Sequence, residues 1–243
     1  QVIVIGGGNS AIDAARCALR LGAQVHLVYR RSRNEMPAAS WEVAAAELEG
    51  VEISFLLAPV RVLEQNNRIT GLECIRMALG EPDASGRRRP VPIPGSELIL
   101  PADTVIAAIG QTVQGEGLGV KLDHGRLEVD PLTLATSLPG VFAGGDAVLG
   151  PASVVEAVGA GIQAAESIHR YLRGLDLYEG RKREWTRPEE IRVKPLHHVR
   201  PAARAHINEI ALKQRVTTFE EVELGLTPEE AVAEAQRCLS CAV

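Results

Sequence analysis

Aromatic residues are scarce, with three Phe, three Tyr and two Trp in 243 residues. A core must therefore be built from Ala, Val, Leu and Ile, and 23 glycines point to a tightly turned α/β architecture. Cysteine is equally scarce, and four thiols are too few for a disulfide scaffold. No apolar run approaches the roughly 18–20 residues needed to cross a bilayer, so no membrane association is expected. Positive charge is not in excess either. The 26 Lys and Arg stand against 31 Asp and Glu, a formal net charge of −5, which argues against a nucleic-acid partner. What remains is globular composition, 46% apolar and 23% charged, in a length that suits one large domain or two modest ones. The chain has no initiator Met, and residue 2 already lies in an apolar strand. We read it as an excised piece of something longer. No targeting peptide is visible, and the expected compartment is the cytoplasm.

The hydrophobic pattern predicts alternating strands and helices. Residues 2–5 form a short β-branched strand, 10–21 a helix with Ile12, Ala15 and Leu19 on its buried stripe, and 24–29 a second strand. This strand–helix–strand unit implies a parallel sheet with a right-handed crossover. Ser10 and Asp13 have capping-box spacing at the start of that helix. A second helix is expected over 38–49, closed by Gly50, and a third strand over 51–57. From 60 to 100 the pattern changes to antiparallel ribbons, with turns at Asn66-Asn67 and within 81–95. Another buried strand follows at 104–109. Short strands are expected at 127–129 and 141–143, then a long helix over 153–172. Beyond Gly174 the composition becomes charged and proline-broken, which suggests a wrapping arm. Its last helix starts at Thr227-Pro228-Glu229-Glu230, with Thr227 and Glu230 as a capping box.

Two segments carry chemistry. In the first, Gly6-x-Gly8-x-x-Ala11 follows a strand and opens a helix. Gly6 permits the tight turn, Gly8 lets the backbone approach a pyrophosphate, and Ala11 lets helix and strand pack closely. Gly7, Asn9 and Ser10 complete the phosphate-seating loop, where a helix N-terminus offers free N–H groups and partial positive charge. Sites for NAD or FAD place an Asp or Glu at the end of the second strand, to hold the ribose hydroxyls. Here that place holds Tyr29-Arg30-Arg31-Ser32-Arg33. Guanidinium groups grip a 2′-phosphate that a carboxylate would repel, so Arg30, Arg31 and Arg33 predict NADPH over NADH. In the second segment, Gly144-Gly145-Asp146 precedes the helix that begins near Ser153. Asp146 could accept a sugar hydroxyl, and amides around Ser153, Val154 and Val155 could face a carbonyl that gains charge on reduction. An ordinary helix cap is the alternative for this segment. At the end of the chain, Cys238 and Cys241 have a spacing that suits a metal, an iron–sulfur cluster or a redox disulfide, while two unpaired thiols remain an alternative. Trp41 reads as a packing residue, Arg87–Arg89 as an exposed loop, and His197, His198 and His206 as part of a solvated arm. No Ser/His/Asp constellation is visible.

Together, Val4-Ile5-Gly6-Gly7-Gly8-Asn9-Ser10-Ala11 with Tyr29-Arg30-Arg31, and Val141-Phe142-Ala143-Gly144-Gly145-Asp146, resemble the two-dinucleotide flavoprotein reductases. Glu35-Met36-Pro37-Ala38 and Ala107-Ala108-Ile109-Gly110-Gln111 bring the chain nearest to the NADPH-dependent glutamate synthase small (β) subunit group. The resemblance implies a three-layer Rossmann-like FAD/NAD(P)-binding fold with an antiparallel ribbon insert and a C-terminal helical arm. It divides the chain into an NADPH-binding domain (1–112), a returning segment of the FAD domain (113–175) and the arm (176–243). It assigns Gly145 and Asp146 to the FAD ribityl or pyrophosphate region, residues 153–155 to the flavin ring and Gly110 to the nicotinamide side. It also makes Cys238 and Cys241 the entry to an iron–sulfur segment. Electrons would pass from NADPH to FAD, then through iron–sulfur centres to a partner subunit or fused acceptor domain. A non-catalytic nucleotide-binding module that docks a partner through its arm is the competing reading, and self-association stays open.

Overall fold

The computed structural model describes residues 1–83, 86–115, 117–181 and 203–237. They fall into two units, Gln1–Ile109 with Leu196–Val243, and Gly110–Pro195.

The first unit is built on a four-stranded parallel sheet. Its strands are β1 (Val2–Ile5), β2 (Val25–Tyr29), β3 (Glu52–Phe55) and β7 (Thr104–Ala107), in the order β3-β2-β1-β7. Strict register pairs Val2 with Val25 and Thr104, and Ile5 with Val28 and Ala107. Helices α1 (Asn9–Arg20) and α2 (Ser40–Glu49) cover one face. There Val4, Val25, Leu27 and Tyr29 pack against Ala11, Ile12, Ala15, Val43 and Ala46. Alternation sends Ile3 and Val28 to the opposite face. They meet Leu57, Leu72, Cys74 and Ala102 of an antiparallel sheet made of β4 (Leu57–Gln65), β5 (Arg68–Pro82) and β6 (Arg88–Pro101). Helices, parallel sheet and antiparallel sheet make three layers, as expected. Burial pushes the Cys74 thiol up to about 11, so it packs as an inert apolar group.

Several local expectations are corrected. Helix α1 is capped by Gly8 without a side-chain bond, and Ser10 lies inside the first turn. Arg88 and Arg89 are strand residues of β6, and the Arg88 guanidinium donates to the Leu79 and Gly80 carbonyls. Trp41 is 61% exposed. It lines a groove of about 450 Å³ whose other walls include Arg16, Arg20, Arg215 and Phe219.

Residues 203–237 of the arm belong to this first unit, whereas 176–181 belong to the second. The 203–237 segment contains a small hairpin of β10 (Asn208–Glu209) and β11 (Glu223–Gly225), with α5 (Leu212–Arg215) between its strands, followed by α6 (Pro228–Gln236). Thr227 and Glu230 form the expected capping box of α6. The Arg20 Nε of α1 donates to the Arg215 carbonyl at 2.9 Å, and Arg215 is itself held by Glu209 at 2.6 Å.

The second unit carries a short hairpin, β8 (Leu122–Asp123) with β9 (Arg126–Leu127), then α3 (Asp146–Leu149) and α4 (Val154–Leu172). Residues 141–143 do not form a strand. Phe142 makes a single bridge to Ala135 and sets its ring edge-on to Tyr171 of α4, 5.9 Å between centroids. Gln163 of α4 donates to the carbonyls of Pro131 and Leu132. Asp130 organises the loop below α4, where one carboxylate oxygen accepts from the Leu132 amide, the Thr133 amide and the Thr133 hydroxyl at 2.8–3.0 Å. Burial pushes its carboxyl up, but the Thr133 and Leu132 donors outweigh that and hold it below the usual aspartate value. A depressed folded value stabilises above the ordinary carboxylate range, and that contribution is lost as pH falls through the folded value. The protection of the Leu132 and Thr133 amides, taken against the intrinsic exchange rate at each pH, should therefore fall on acidification. In Asp130→Asn, which costs about 1 kcal/mol, protection should be lower and independent of this titration. Unchanged protection down to acid pH in the native chain would refute the account.

Candidate functional site

The sheet order fixes where a ligand can approach. The chain runs from β1 outward through β2 to β3, then returns on the other side of β1 as β7. Strand order reverses at β1, and open α/β sheets bind ligands beyond the carboxyl ends of the strands at such a point. The Gly6–Gly8 loop occupies it. Gly6 has φ +151°, and a Cβ there would lie 2.3 Å from the Ala108 carbonyl oxygen beyond the end of β7. A Cβ on Gly7 would sit 2.3 Å from the Tyr29 ring. Gly8, by contrast, has nothing within 4 Å of a built Cβ. The first two glycines are thus hemmed in by protein, and the third faces open space.

The helix end above this loop is electrophilic. The Asn9 and Ser10 amides have no backbone acceptor, as the first turn of a helix dictates, and no acidic residue stands in that turn. Sequence reasoning placed Asn9 among the phosphate ligands. The structure gives its side chain a further task, because Oδ1 accepts from the Ala39 amide at 3.0 Å and joins the starts of α1 and α2. Tyr29 is a second such organiser. Its ring lies on Gly7, and its hydroxyl donates to the Glu35 carbonyl at 2.8 Å. That bond pins the 3₁₀ turn Arg33–Glu35, which Ser32 and Glu35 close with a reciprocal capping box.

The three arginines beyond β2 are treated differently. Arg30 is exposed and, among the described residues, has no hydrogen-bond or ion-pair partner. Arg31 is 94% buried, the complement of its 6% exposure. Its Nε donates to the Arg88 carbonyl at 2.8 Å and its Nη2 to Asp83 at 2.7 Å. Arg33 makes a two-pronged pair with Glu47 of α2, at 2.8 and 2.5 Å. These partners lie 52 and 14 residues away in sequence, so no local pattern could reveal them.

The second set of expected residues lies in the second unit. Gly145 caps α3, and the Asp146 carboxylate is exposed with no partner among the described residues. Ser153 caps α4 in a capping box with Glu156, whose carboxyl is held below its usual value by the Ser153 hydroxyl and amide. Val154 and Val155 are about four-fifths exposed. Gly110 has φ +98° and open space around it. Cys238 and Cys241 lie outside the described residues. Among the described residues no cluster of three or more His, Cys, Asp or Glu could hold a metal ion.

One constellation went unnoticed in the sequence. His26 Nε2 lies 2.8 Å from Ser54 Oγ, and His26 Nδ1 lies 3.7 Å from the Glu52 carboxylate. The second separation exceeds hydrogen-bond reach, so the trio lacks the orienting bond that a nucleophilic serine requires.

Residues 1–161 match the family model described as pyridine nucleotide-disulphide oxidoreductase. The chain belongs to that family. The β subunit of an NADP(+)-dependent formate dehydrogenase from Moorella thermoacetica is 47% identical over 99% of the chain. A glutamate synthase [NADPH] small chain from Halomonas elongata is 42% identical over 71% of it. The chain spans only 35% and 38% of the lengths of these two proteins. Among solved structures, the thioredoxin reductase of T. acidophilum superposes with a TM-score of 0.56 at 25% identity, over 71% of this chain and 52% of the reductase. The family and the fold of an FAD/NAD(P)-binding oxidoreductase module, with glutamate synthase small chains among its relatives, are thereby established. No helix among the described residues is long and apolar enough to cross a membrane.

Proposed function

We propose that this chain is the NADPH-binding portion of a flavin-dependent oxidoreductase. In the whole protein, electrons would pass from NADPH to FAD and on through iron–sulfur centres to a partner subunit. The observation that carries the coenzyme assignment is an unpartnered guanidinium, Arg30, at the end of β2, beside a glycine turn and a helix N-terminus with free amides. No carboxylate occupies the place where an NAD site would hold the ribose hydroxyls. The printed names of the two relatives, one NADP(+)-dependent and one NADPH-using, agree with this reading.

The residues fit the coenzyme by their chemistry. Open space over Gly8 admits a pyrophosphate, the Asn9 and Ser10 amides would donate to it, and Arg30 would take the 2′-phosphate through charge-assisted bonds. Tyr29 and Asn9 hold the loop in register by the bonds already described, so the amides need no reorganisation when they bind. NADPH, when bound, supplies the hydride, and the protein's share of the chemistry is orientation. For FAD, this chain offers the free Asp146 carboxylate and the start of α4. Val154, Val155, Val158 and Ile162 of α4 are all exposed, and in the proposed whole protein the remainder of the FAD domain would cover them. Domain limits at about 112 and 175, and iron–sulfur ligation by Cys238 and Cys241, form part of the same proposal.

The test is coenzyme binding by Arg30→Glu. Losing a charge-assisted bond and gaining a repulsive charge should weaken NADPH binding by roughly 10- to 100-fold and leave NADH binding nearly unchanged. Titration calorimetry with each coenzyme reads both. An equal loss for the two would defeat the phosphate assignment.

A further inference from the structure

Arg30, Arg31 and Arg33 belong to one turn, yet only one of the three side chains is uncommitted. The two commitments differ in kind. Arg31 is buried and bonded to both a backbone carbonyl and Asp83, so its guanidinium serves as a strut between the turn and the β5–β6 hairpin. A buried pair of this kind is not exchanged cheaply, because either partner left alone is an uncompensated charge. The Arg33–Glu47 pair is different. Both side chains are substantially exposed to water, and the Arg33 guanidinium carbon stands 5.8 Å from the centre of the Phe55 ring. Exposed ion pairs are weak and are readily remade. Arg33 opens the 3₁₀ turn three residues after Arg30, on a long flexible side chain. A phosphate monoester carries nearly two negative charges and three acceptor oxygens, against one charge and two oxygens on a carboxylate.

We propose that Glu47 is a specificity-determining residue, which sets the strength of the NADP(H) preference by competing with the adenosine 2′-phosphate for Arg33. This rests on the NADPH reading above and adds a residue from α2, outside the fingerprint, to the site. The competition acts only on a coenzyme that carries the phosphate, so Glu47 tunes the ratio of the two affinities and leaves the common pyrophosphate contacts alone. Asp83 has no such role, since its partner is a strut.

The experiment measures NADPH and NADH dissociation constants for the native chain, Glu47→Gln, Arg33→Gln and the double variant. Glu47→Gln should tighten NADPH by roughly two- to fivefold, the value of an exposed pair, with NADH unchanged. The gain should vanish in the Arg33→Gln background, since the two residues act as one pair. No gain, an equal gain for both coenzymes, or a gain that persists without Arg33 would overturn the proposal. Arg30→Glu, run alongside, separates two kinds of failure. If Arg30→Glu lowers the NADPH-to-NADH preference and Glu47→Gln does nothing, the competition is wrong and the site stands. If neither variant changes the preference, the site itself is wrong.

Discussion

Gly6→Ala should destabilise the first unit by about 3–5 kcal/mol, the sum expected for overpacking and a disfavoured backbone conformation. A single added methyl would stand 2.3 Å from the Ala108 oxygen and 3.0 Å from the Ala11 Cβ. Neither side can withdraw. Ala108 donates its amide to Ile5 at 2.8 Å, and Gly6 donates its own to Val28 at 3.1 Å, so both segments are fixed to the sheet. Relief would require β1 and β7 to separate. Urea unfolding reads the loss directly, and it is a large share of the roughly 5–15 kcal/mol that keeps a domain folded. Gly8→Ala is the contrasting case. Its φ is −90° and its surroundings are open, so the expected cost is below about 1 kcal/mol, and coenzyme affinity should suffer instead. If Gly6→Ala unfolded at the native urea midpoint, the close approach of the loop to residue 108 would be wrong.

The second large effect is expected at Glu49, whose side chain is fully buried at the end of α2. Its two oxygens take Arg16 Nη2 at 2.6 Å and Arg16 Nε at 2.9 Å, and Arg20 Nη2 stands 3.3 Å from both. Arg16 also bonds Glu42 at 2.5 Å. The Glu49 hydrogen bond, with the charges of Glu49 and Glu42, holds the Arg16 guanidinium above its already high ordinary value against the pull of burial. The Arg16 guanidinium therefore keeps its charge across the accessible pH range. Glu49→Ala leaves two cations without their shared acceptor, and removing one partner of a buried pair costs about 3–5 kcal/mol. Because Arg20 also holds the Arg215 carbonyl, the loss should reach the C-terminal segment, and hydrogen exchange should rise across residues 209–216. The fourfold change Arg16→Met, Arg20→Met, Glu42→Gln and Glu49→Leu should recover much of the stability, since apolar or neutral replacement of a whole buried cluster is tolerated. A Glu49→Ala chain with native stability would show that the network contributes nothing.

Much of the fold was legible in the sequence because its cause is local. Val2–Ile5 is β-branched and followed by glycines, so the strand and the turn both declare themselves. The antiparallel insert was readable from its change of period, and the cap of α6 from Thr227/Glu230. Misreadings arose where a local signal had a rival. Ser10 and Asp13 carry the spacing of a capping box, but Gly8 already turns the chain, and so the helix starts before Ser10. Trp41 looked like a packing residue because it is large and apolar, yet Ala and Val fill the narrow space between α2 and the sheet, and the indole is left outside. In the site, the glycines and the arginine cluster were readable as types. What each arginine does was not, because Asp83 and Glu47 reach the turn only through the folded chain.

The Arg31 strut has a consequence for protein engineering. The tip of a long surface hairpin is ordinarily a tolerant place to graft a loop or to insert a tag. At the β5–β6 tip that freedom is curtailed, because Asp83 and the Arg88 carbonyl are both committed to Arg31 beside the turn proposed to hold the coenzyme. The Asn66-Asn67 turn between β4 and β5, whose side chains are exposed and make no hydrogen bond among the described residues, is an insertion point clear of that contact.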